Sequence, residues 1–194
     1  LQQKFSENVL DATAEYELEV SDERRLGGVP EAAIKRAKAK ANEEGLDGWL
    51  VTLDYPSVEP VLKYANDREL RQEVYLAYVT RCRDGEFDNR PLLARILRLR
   101  DQIASILGYD RFPDFVLEDR MARSGARATE FERDLLERTE PYWRRDVEQL
   151  RAYASELGMD DFEPWDASFV MESLRKKRYD IDDEALRPYF PLPQ

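Results

Sequence analysis

The chain has 194 residues, of which 42% are hydrophobic and 11% aromatic, which excludes a disordered acidic tail and predicts a folded core. Its 30 Lys and Arg residues against 41 Asp and Glu give a net charge of −11, which argues against nucleic acid as a partner. We find neither a secretory signal pattern nor an apolar run of about 20 residues, so we expect a cytoplasmic protein without membrane contact.

The first quarter of the chain predicts helix, strand, helix and strand in that order. Apolar residues spaced by four predict a short helix over residues 1–12, and residues 15–20 then alternate between glutamate and apolar side chains, as in a half-buried strand. Pro30 suits a first helical turn and Gly45 a left-handed stop, which predicts a helix between them. Residues 49–53 favour a second strand. It is expected to pair antiparallel with the first, although the intervening helix also allows a parallel arrangement.

Beyond the second strand the apolar spacing is helical almost throughout. A short helical element over residues 58–62 is followed by a helix that begins at Asp67, a favourable N-cap. Pro91 opens a longer helix and Gly108 ends it. Residues 113–121 predict a shorter helix.

A long helix is predicted from residue 128 to residue 157. Pro141 is expected to kink or split it, because proline lacks a backbone donor and clashes with the preceding turn. Another helix should start within residues 164–166, and a last short one should end at residue 188. The predicted fold is therefore mainly α, a multi-helical array with one small two-stranded β element near the N-terminal third. The inward side chains expected in the long helix are Phe131, Leu135, Val147, Leu150 and Ala154.

The most informative count is that of histidine, which is zero. Imidazole is the commonest transition-metal ligand and the commonest general base near neutral pH. Without it, no Ser-His-Asp triad or His-Glu-x-x-His helix can form, and the single Cys82 cannot build a cysteine-rich zinc site. We therefore predict no catalytic, cofactor-binding or metal-binding residue in this chain.

Clustered carboxylates are the remaining candidates for chemistry, at residues 43–44, 160–161 and 182–184. They could hold a hard cation or act as an acid and base pair. Each cluster lies at a predicted helix boundary, where acidic side chains act as caps and favour the helix dipole, and this structural reading is preferred. The arginines near residues 95–100 and the basic residues 175–178 alternate with apolar residues, as on solvated helix faces.

Aromatic residues recur along the chain at helical spacing, which favours a packed core over a peptide-binding surface. The surface alternative is kept for the members nearest the C-terminus. The set comprises Tyr55, Tyr64, Tyr75, Tyr78, Tyr142, Trp143, Tyr153, Trp165, Tyr179 and Tyr189.

Several sequence segments resemble, in the same order, the oligopeptidase A and thimet oligopeptidase family of zinc metallopeptidases, and together they extend over nearly the whole chain. In the N-terminal part they are residues 4–13 (Lys-Phe-Ser-Glu-Asn-Val-Leu-Asp-Ala-Thr), 27–31 (Gly-Gly-Val-Pro-Glu), 49–57 (Trp-Leu-Val-Thr-Leu-Asp-Tyr-Pro-Ser), 66–71 (Asn-Asp-Arg-Glu-Leu-Arg) and 75–81 (Tyr-Leu-Ala-Tyr-Val-Thr-Arg). In the C-terminal part they are residues 163–166 (Glu-Pro-Trp-Asp) and 186–192 (Leu-Arg-Pro-Tyr-Phe-Pro-Leu).

The resemblance implies a zinc-dependent endopeptidase that cleaves short peptides in a channel between two helical halves. In that family the His-Glu-x-x-His motif and a downstream Glu follow the part represented here, so zinc is expected only in the full-length enzyme. We expect residues 1–194 to be a single helical region cut from a larger metallopeptidase, because the chain starts at Leu1 and its end reads as a connector. Its expected partners are the remainder of the peptidase chain, short peptide substrates in the full enzyme, and a second copy through uncovered apolar surface. The alternative is a free-standing helical module that binds peptides or proteins without cutting them.

Overall fold

The computed structural model describes residues 1–180 and Tyr189. Within that part the chain forms eight α-helices and one two-stranded sheet, which confirms the predicted mainly α class. The chain divides into two compact units. Unit 1 contains Leu1–Leu10 and Cys82–Glu148, and unit 2 contains Asp11–Arg81 and Gln149–Gln194.

The sheet of unit 2 is a β-α-β arrangement with antiparallel strands. Strands β1 (Glu17–Val20) and β2 (Trp49–Thr52) pair in a register that places Leu18 opposite Val51. The antiparallel option of the sequence analysis is therefore confirmed. The connecting helix runs over Glu31–Glu43, and the left-handed Gly45 follows its end. It is α2 in chain order, after α1 (Gln2–Glu15).

The next two helices of unit 2 begin at aspartate caps. Helix α3 (Tyr55–Tyr64) begins after Asp54, whose carboxylate accepts a hydrogen bond from the Ser57 N–H at 3.1 Å. Helix α4 (Arg68–Val79) begins after Asp67, which accepts from the Leu70 N–H at 3.0 Å. An aspartate in extended conformation satisfies one of the free N–H groups of a first helical turn, so the predicted N-cap at Asp67 is confirmed.

Two clusters of buried side chains are found among the described residues, and both belong to unit 2. The first joins the sheet to helices α2, α3 and α4 and contains Val20, Leu26, Val29, Ala33, Val51, Leu53, Val58, Val61, Ala65, Leu70 and Val74. The second packs the end of the long helix α7 (Gly125–Glu156) against α8 (Ala167–Tyr179) through Tyr153, Ala154 and Val170. A 3-10 turn over Pro164–Asp166 leads into α8, as the sequence predicts.

A glycine pair holds the chain between β1 and α2 close to the start of α4. The Gly27 carbonyl accepts a hydrogen bond from the Asn66 N–H at 2.8 Å. Gly28 has φ +91°, and a Cβ atom placed on it would lie 2.3 Å from the Tyr64 carbonyl oxygen. Only a residue without a side chain fits there, since both the backbone conformation and the space exclude one.

Unit 1 is built from helices that bury little of their apolar surface. Helix α5 (Arg90–Leu107) starts with proline in its first turn and ends at the left-handed Gly108, as predicted. Helix α6 (Phe112–Leu117) is short, and the part of α7 up to Glu148 completes the unit. Within unit 1, two hydrogen bonds join α1 to Asn89, the residue that precedes α5. Asn8 Nδ2 donates to Asn89 Oδ1 at 2.9 Å, and Asn89 Nδ2 donates to the Phe5 carbonyl at 3.0 Å.

Several sequence predictions need correction. Helix α1 extends to Glu15 rather than ending near Ala12, and α6 is shorter than predicted. Of the two outcomes expected at Pro141, a split is wrong, because α7 is continuous over Gly125–Glu156 and proline removes only one internal hydrogen bond; a kink there stays a prediction. Phe131 and Leu135, predicted to point inward, are 66% and 49% exposed. The predicted short helix ending at residue 188 lies outside the described residues.

Candidate functional site

The most elaborate polar arrangement in the described residues is an ion-pair network in unit 2. Its centre is the carboxylate of Asp166, which is fully buried, and the guanidinium of Arg71, which is 1% exposed. Arg71 Nη2 donates to Asp166 Oδ1 at 2.8 Å, while Arg71 Nη1 donates to the Ala65 carbonyl at 2.7 Å. A buried charge is tolerated only when it is paired and hydrogen-bonded, and both charges here meet that condition.

Arg68 extends the network to the surface. Its Nε and Nη2 donate to the two carboxylate oxygens of Asp166, with Nη2 to Oδ2 at 2.8 Å. The other side of the same guanidinium donates from Nη1 to Asp161 Oδ2 at 2.9 Å and from Nη2 to the Asp161 carbonyl at 2.7 Å. One arginine therefore contacts two aspartates from the loop and turn that precede α8.

The local folds explain why these groups meet. Arg68 and Arg71 are separated by one turn of α4, so both side chains project from the same side of that helix. Asp166 ends the 3-10 turn, where its Oδ2 also accepts from the Glu163 N–H at 3.1 Å. The carboxylate thus has donors from two guanidinium groups and one backbone N–H.

Acid and base chemistry is excluded at Asp166 by its surroundings. Burial opposes its ionisation, but the hydrogen bonds from Arg68 and Arg71 outweigh burial and hold the pKa of the carboxyl below its ordinary value. The same pairing raises the pKa of Arg68. Asp166 therefore stays ionised at neutral pH with its oxygens occupied, so the network connects α4 to the start of α8 and offers no free acid or base.

Apolar groups enclose the inner end of the network. The Arg71 guanidinium lies 4.2 Å from the centre of the Phe169 ring, and its Nη2 is 3.7 Å from the Met159 sulfur. The Arg68 guanidinium lies 6.0 Å from the Trp165 ring centre. Stacking of a guanidinium on an aromatic face adds to the ion pairs and keeps water out.

Two of the three acidic clusters proposed from sequence lie in the part of the chain that the structure describes. Asp161 pairs with Arg68 instead of capping a helix, and residues 43–44 lie at the exposed C-terminal end of α2. Residues 182–184 lie outside the described part of the chain. Within residues 1–180, no three His, Cys, Asp or Glu side chains are grouped closely enough to hold a metal ion.

Zinc, the metal that the family resemblance implies, has no suitable donor set in the part of the chain that the structure describes. Catalytic zinc in proteins is held by three protein ligands, usually including histidine, and this sequence has no histidine and one cysteine. Cys82 is half-buried, and its Sγ–H donates to the Asn8 carbonyl at 3.3 Å. We assign no metal-dependent step to these residues.

The predicted aromatic set divides between core and surface. Tyr153 is buried, with its hydroxyl 3.0 Å from the Ser173 hydroxyl, as the core interpretation expects. The core interpretation is wrong for Tyr55, Tyr142 and Trp143, which are more than 60% exposed. Tyr179 and Tyr189, near the C-terminus, where the surface alternative was kept, are 65% and 78% exposed.

A concave site of about 420 Å³ lies among α2, β2 and α3 in unit 2. Its interior is apolar, with Leu26, Val29 and Val51 in the lining. Three polar residues of the lining already pair with one another, since Thr52 Oγ1 donates to Asp54 Oδ2 at 2.8 Å and Lys40 Nζ lies 3.6 Å from the same oxygen. The cavity has the size of a small-molecule site, and Arg36 and Ser57 also line it.

Sequence reasoning missed the Arg71–Asp166 pair, although a signal for it exists. Arg71 directly follows Leu70 and lies three residues before Val74, both of which are fully buried positions of α4. An arginine on the apolar side of an amphipathic helix indicates a buried partner. The two segments that the network joins, residues 66–71 and 163–166, are among those that carry the family resemblance.

Residues 61–194 match the model of peptidase family M3, and the chain belongs to that family. It is 41% identical to oligopeptidase A of Escherichia coli (strain K12) over 97% of the chain and 28% of that relative's length. It is 38% identical to the probable cytosolic oligopeptidase A of Arabidopsis thaliana over 100% of the chain and 29% of the relative. A dipeptidyl carboxypeptidase of Escherichia coli (strain K12) is 29% identical over 99% of the chain and 29% of its own length. The chain therefore spans between a quarter and a third of the length of these three relatives.

No helix among the described residues has both the length and the apolar character needed to cross a lipid bilayer.

Proposed function

We propose that this chain is a non-catalytic helical portion of a zinc-dependent oligopeptidase that hydrolyses short peptides, where it serves as scaffold and channel wall. Membership of peptidase family M3 over 28% of the length of oligopeptidase A carries the proposal. The polar network supports a scaffold role, because it connects α4 to the start of α8 through two arginines that pair with one buried carboxylate. The cytoplasm is the proposed location.

In this proposal zinc and the residues that bind it belong to the rest of the enzyme. The partners of the chain are that remaining polypeptide and, within the whole enzyme, short peptide substrates. When the chain is alone, its uncovered apolar side chains are expected to promote self-association.

The test is peptide cleavage by the purified chain. A short peptide with a fluorophore and a quencher is incubated with the 194-residue chain, with and without added zinc. No cleavage is expected in either case, whereas zinc-dependent cleavage that increases with chain concentration and stops with a chelator would refute the assignment. The reading frame beyond Gln194 gives a second test, since the proposal requires a His-Glu-x-x-His segment to follow.

A peptide-binding module is the second candidate function, and the exposed aromatic pair on α7 favours it. Tyr142 and Trp143 are 62% and 64% exposed, and rigid aromatic side chains are common anchors in interfaces. Calorimetric titration with short peptides tests this function directly. Two results together would favour the binding module over the peptidase portion. One is peptide binding that disappears in a Trp143→Ala variant, and the other is a native gene that ends at Gln194.

A further inference from the structure

Helix α5 carries an apolar seam that the described residues cover only in part. Leu92, Ile96, Leu99, Ile103 and Ile106 follow one another at spacings of four, three, four and three residues, the heptad pattern of helices that pack side by side. Ile96 is 8% exposed, so the first half of the seam is packed.

The second half of the seam is open. Leu99 is 41% exposed, Ile103 is 42% exposed and Ile106 is 83% exposed. We call these three residues the α5 seam. Burying a branched apolar side chain favours association, so three such groups in one row form a contact site for a second helix.

The charges beside the seam have one sign. In the heptad pattern Arg95 and Arg100 occupy the two flanking positions, where charged residues select the partner helix. Arg98 lies further round, and Asp101 is the single carboxylate of the helix. Neither Arg95 nor Arg98 forms an ion pair within the described residues, and the Arg100 guanidinium lies 5.3 Å from the Phe112 ring centre.

We propose that the α5 seam binds an amphipathic helix with an apolar stripe flanked by carboxylates, contributed by the part of the peptidase polypeptide outside these 194 residues. The inference rests on the proposed function, and two observations select this occupant. The chain spans 28% of the length of oligopeptidase A, so the part of that relative outside the matched region is more than twice as long as this chain. The cationic flanks of the seam, on a chain whose net charge is −11, require an acidic partner for complementarity.

The experiment uses the 194-residue chain and two synthetic helical peptides of about four heptads each. Both peptides have the same leucine and isoleucine stripe, and they differ in carrying either glutamate or lysine at the flanking positions. At low salt, fluorescence anisotropy of the labelled peptides should show that the glutamate peptide binds about tenfold more tightly than the lysine peptide. This difference in affinity should shrink in about 1 M salt, where charges are screened beyond about 3 Å.

Variants separate seam recognition from general stickiness. Ile103→Ser combined with Ile106→Ser should weaken binding of the glutamate peptide about a hundredfold or more, because the burial of two apolar side chains is lost. Leu10→Ser is the matched control, since Leu10 is 68% exposed on another helix and its change should leave binding as it was. Arg95→Glu combined with Arg100→Glu should reverse the preference toward the lysine peptide. Circular dichroism verifies that each variant keeps its helix content.

Four outcomes would overturn the proposal. The first two are equal binding of the two peptides and an equal loss of binding in the Leu10→Ser control. The third is absence of binding at a peptide concentration of about 1 mM, and the fourth is a homodimer in sedimentation that the Ile103→Ser and Ile106→Ser changes dissociate, since a second copy would then be the occupant. None of these outcomes depends on whether a His-Glu-x-x-His segment follows Gln194, so the docking proposal and the proposed function fail separately.

Discussion

Replacing Asp166 by asparagine tests the buried network most directly. The amide keeps the shape of the side chain but removes its charge. Its NH₂ group also takes the place of a carboxylate oxygen that accepted hydrogen bonds, so two donors then face each other. Arg71 is 1% exposed and cannot turn toward water, so its charge would remain buried without a counter-charge. Removing one partner of a buried ion pair costs about 3–5 kcal/mol, and we expect the free energy of unfolding to fall by that amount.

Urea denaturation followed by far-ultraviolet circular dichroism measures this loss. In a variant in which Trp49 and Trp143 are replaced by Phe, the fluorescence of Trp165, whose ring lies 6.0 Å from the Arg68 guanidinium, reports on the same region. Asp161→Asn is the matched control, because Asp161 contacts Arg68 from an exposed position and should contribute far less. Adding Arg71→Met to Asp166→Asn should restore part of the lost stability, because the unpaired buried charge is removed as well. A loss below about 1 kcal/mol for Asp166→Asn, the range of exposed ion pairs, would refute the argument.

Three further predictions concern the same unit. Gly28→Ala should destabilise the chain by about 3 kcal/mol or more, because the new Cβ atom clashes with backbone at a position of positive φ. Gly45 also has positive φ but has open space around it, so Gly45→Ala should cost about 1 kcal/mol. The difference is measured from the urea concentrations at the midpoints of unfolding of the two variants. The pKa of Asp166 is lowered in the folded chain, so the ionised carboxylate stabilises the fold above about pH 4, and this stabilisation is lost as the pH falls through the lowered pKa. Urea unfolding between about pH 5 and pH 3 should therefore show a smaller loss of stability for Asp166→Asn than for the unchanged chain. Leu70→Ala should cost about 2–5 kcal/mol in thermal or urea unfolding because Leu70 is fully buried, and a similar loss for Leu76→Ala, which is 42% exposed, would contradict this account of the core.

The sequence predicted the helices and strands well because their signals are local. Asp67 caps α4 with its own side chain, and Gly108 ends α5 in the left-handed conformation that glycine adopts without strain. The alternation over residues 15–20 likewise reflects strand geometry alone. Such features require only neighbouring residues, so they can be read before any tertiary contact is known.

Burial was predicted less well, since periodicity shows which residues share a helix face but not whether that face is covered. Phe131 and Leu135 lie four residues apart on α7 and were expected inside, yet they are exposed. Arg71 shows a second limit, because the sequence gives it no partner while Asp166, 95 residues further along the chain, completes a buried pair with it. Pairings over such distances depend on how elements pack, which a single sequence does not specify.

The Arg71–Asp166 pair also sets an order of events during synthesis. Its two members are separated by 95 residues, and ribosomes add roughly 5–20 residues per second, so Arg71 is made about 5–20 s before its counter-charge. During that interval burying the guanidinium would be unfavourable, and the segment containing α4 must keep it in contact with water. We therefore expect the two stretches of unit 2 to fold together only after the 3-10 turn before α8 has left the ribosome, and a nascent chain halted before that turn to be cleaved by proteases more readily than the full chain.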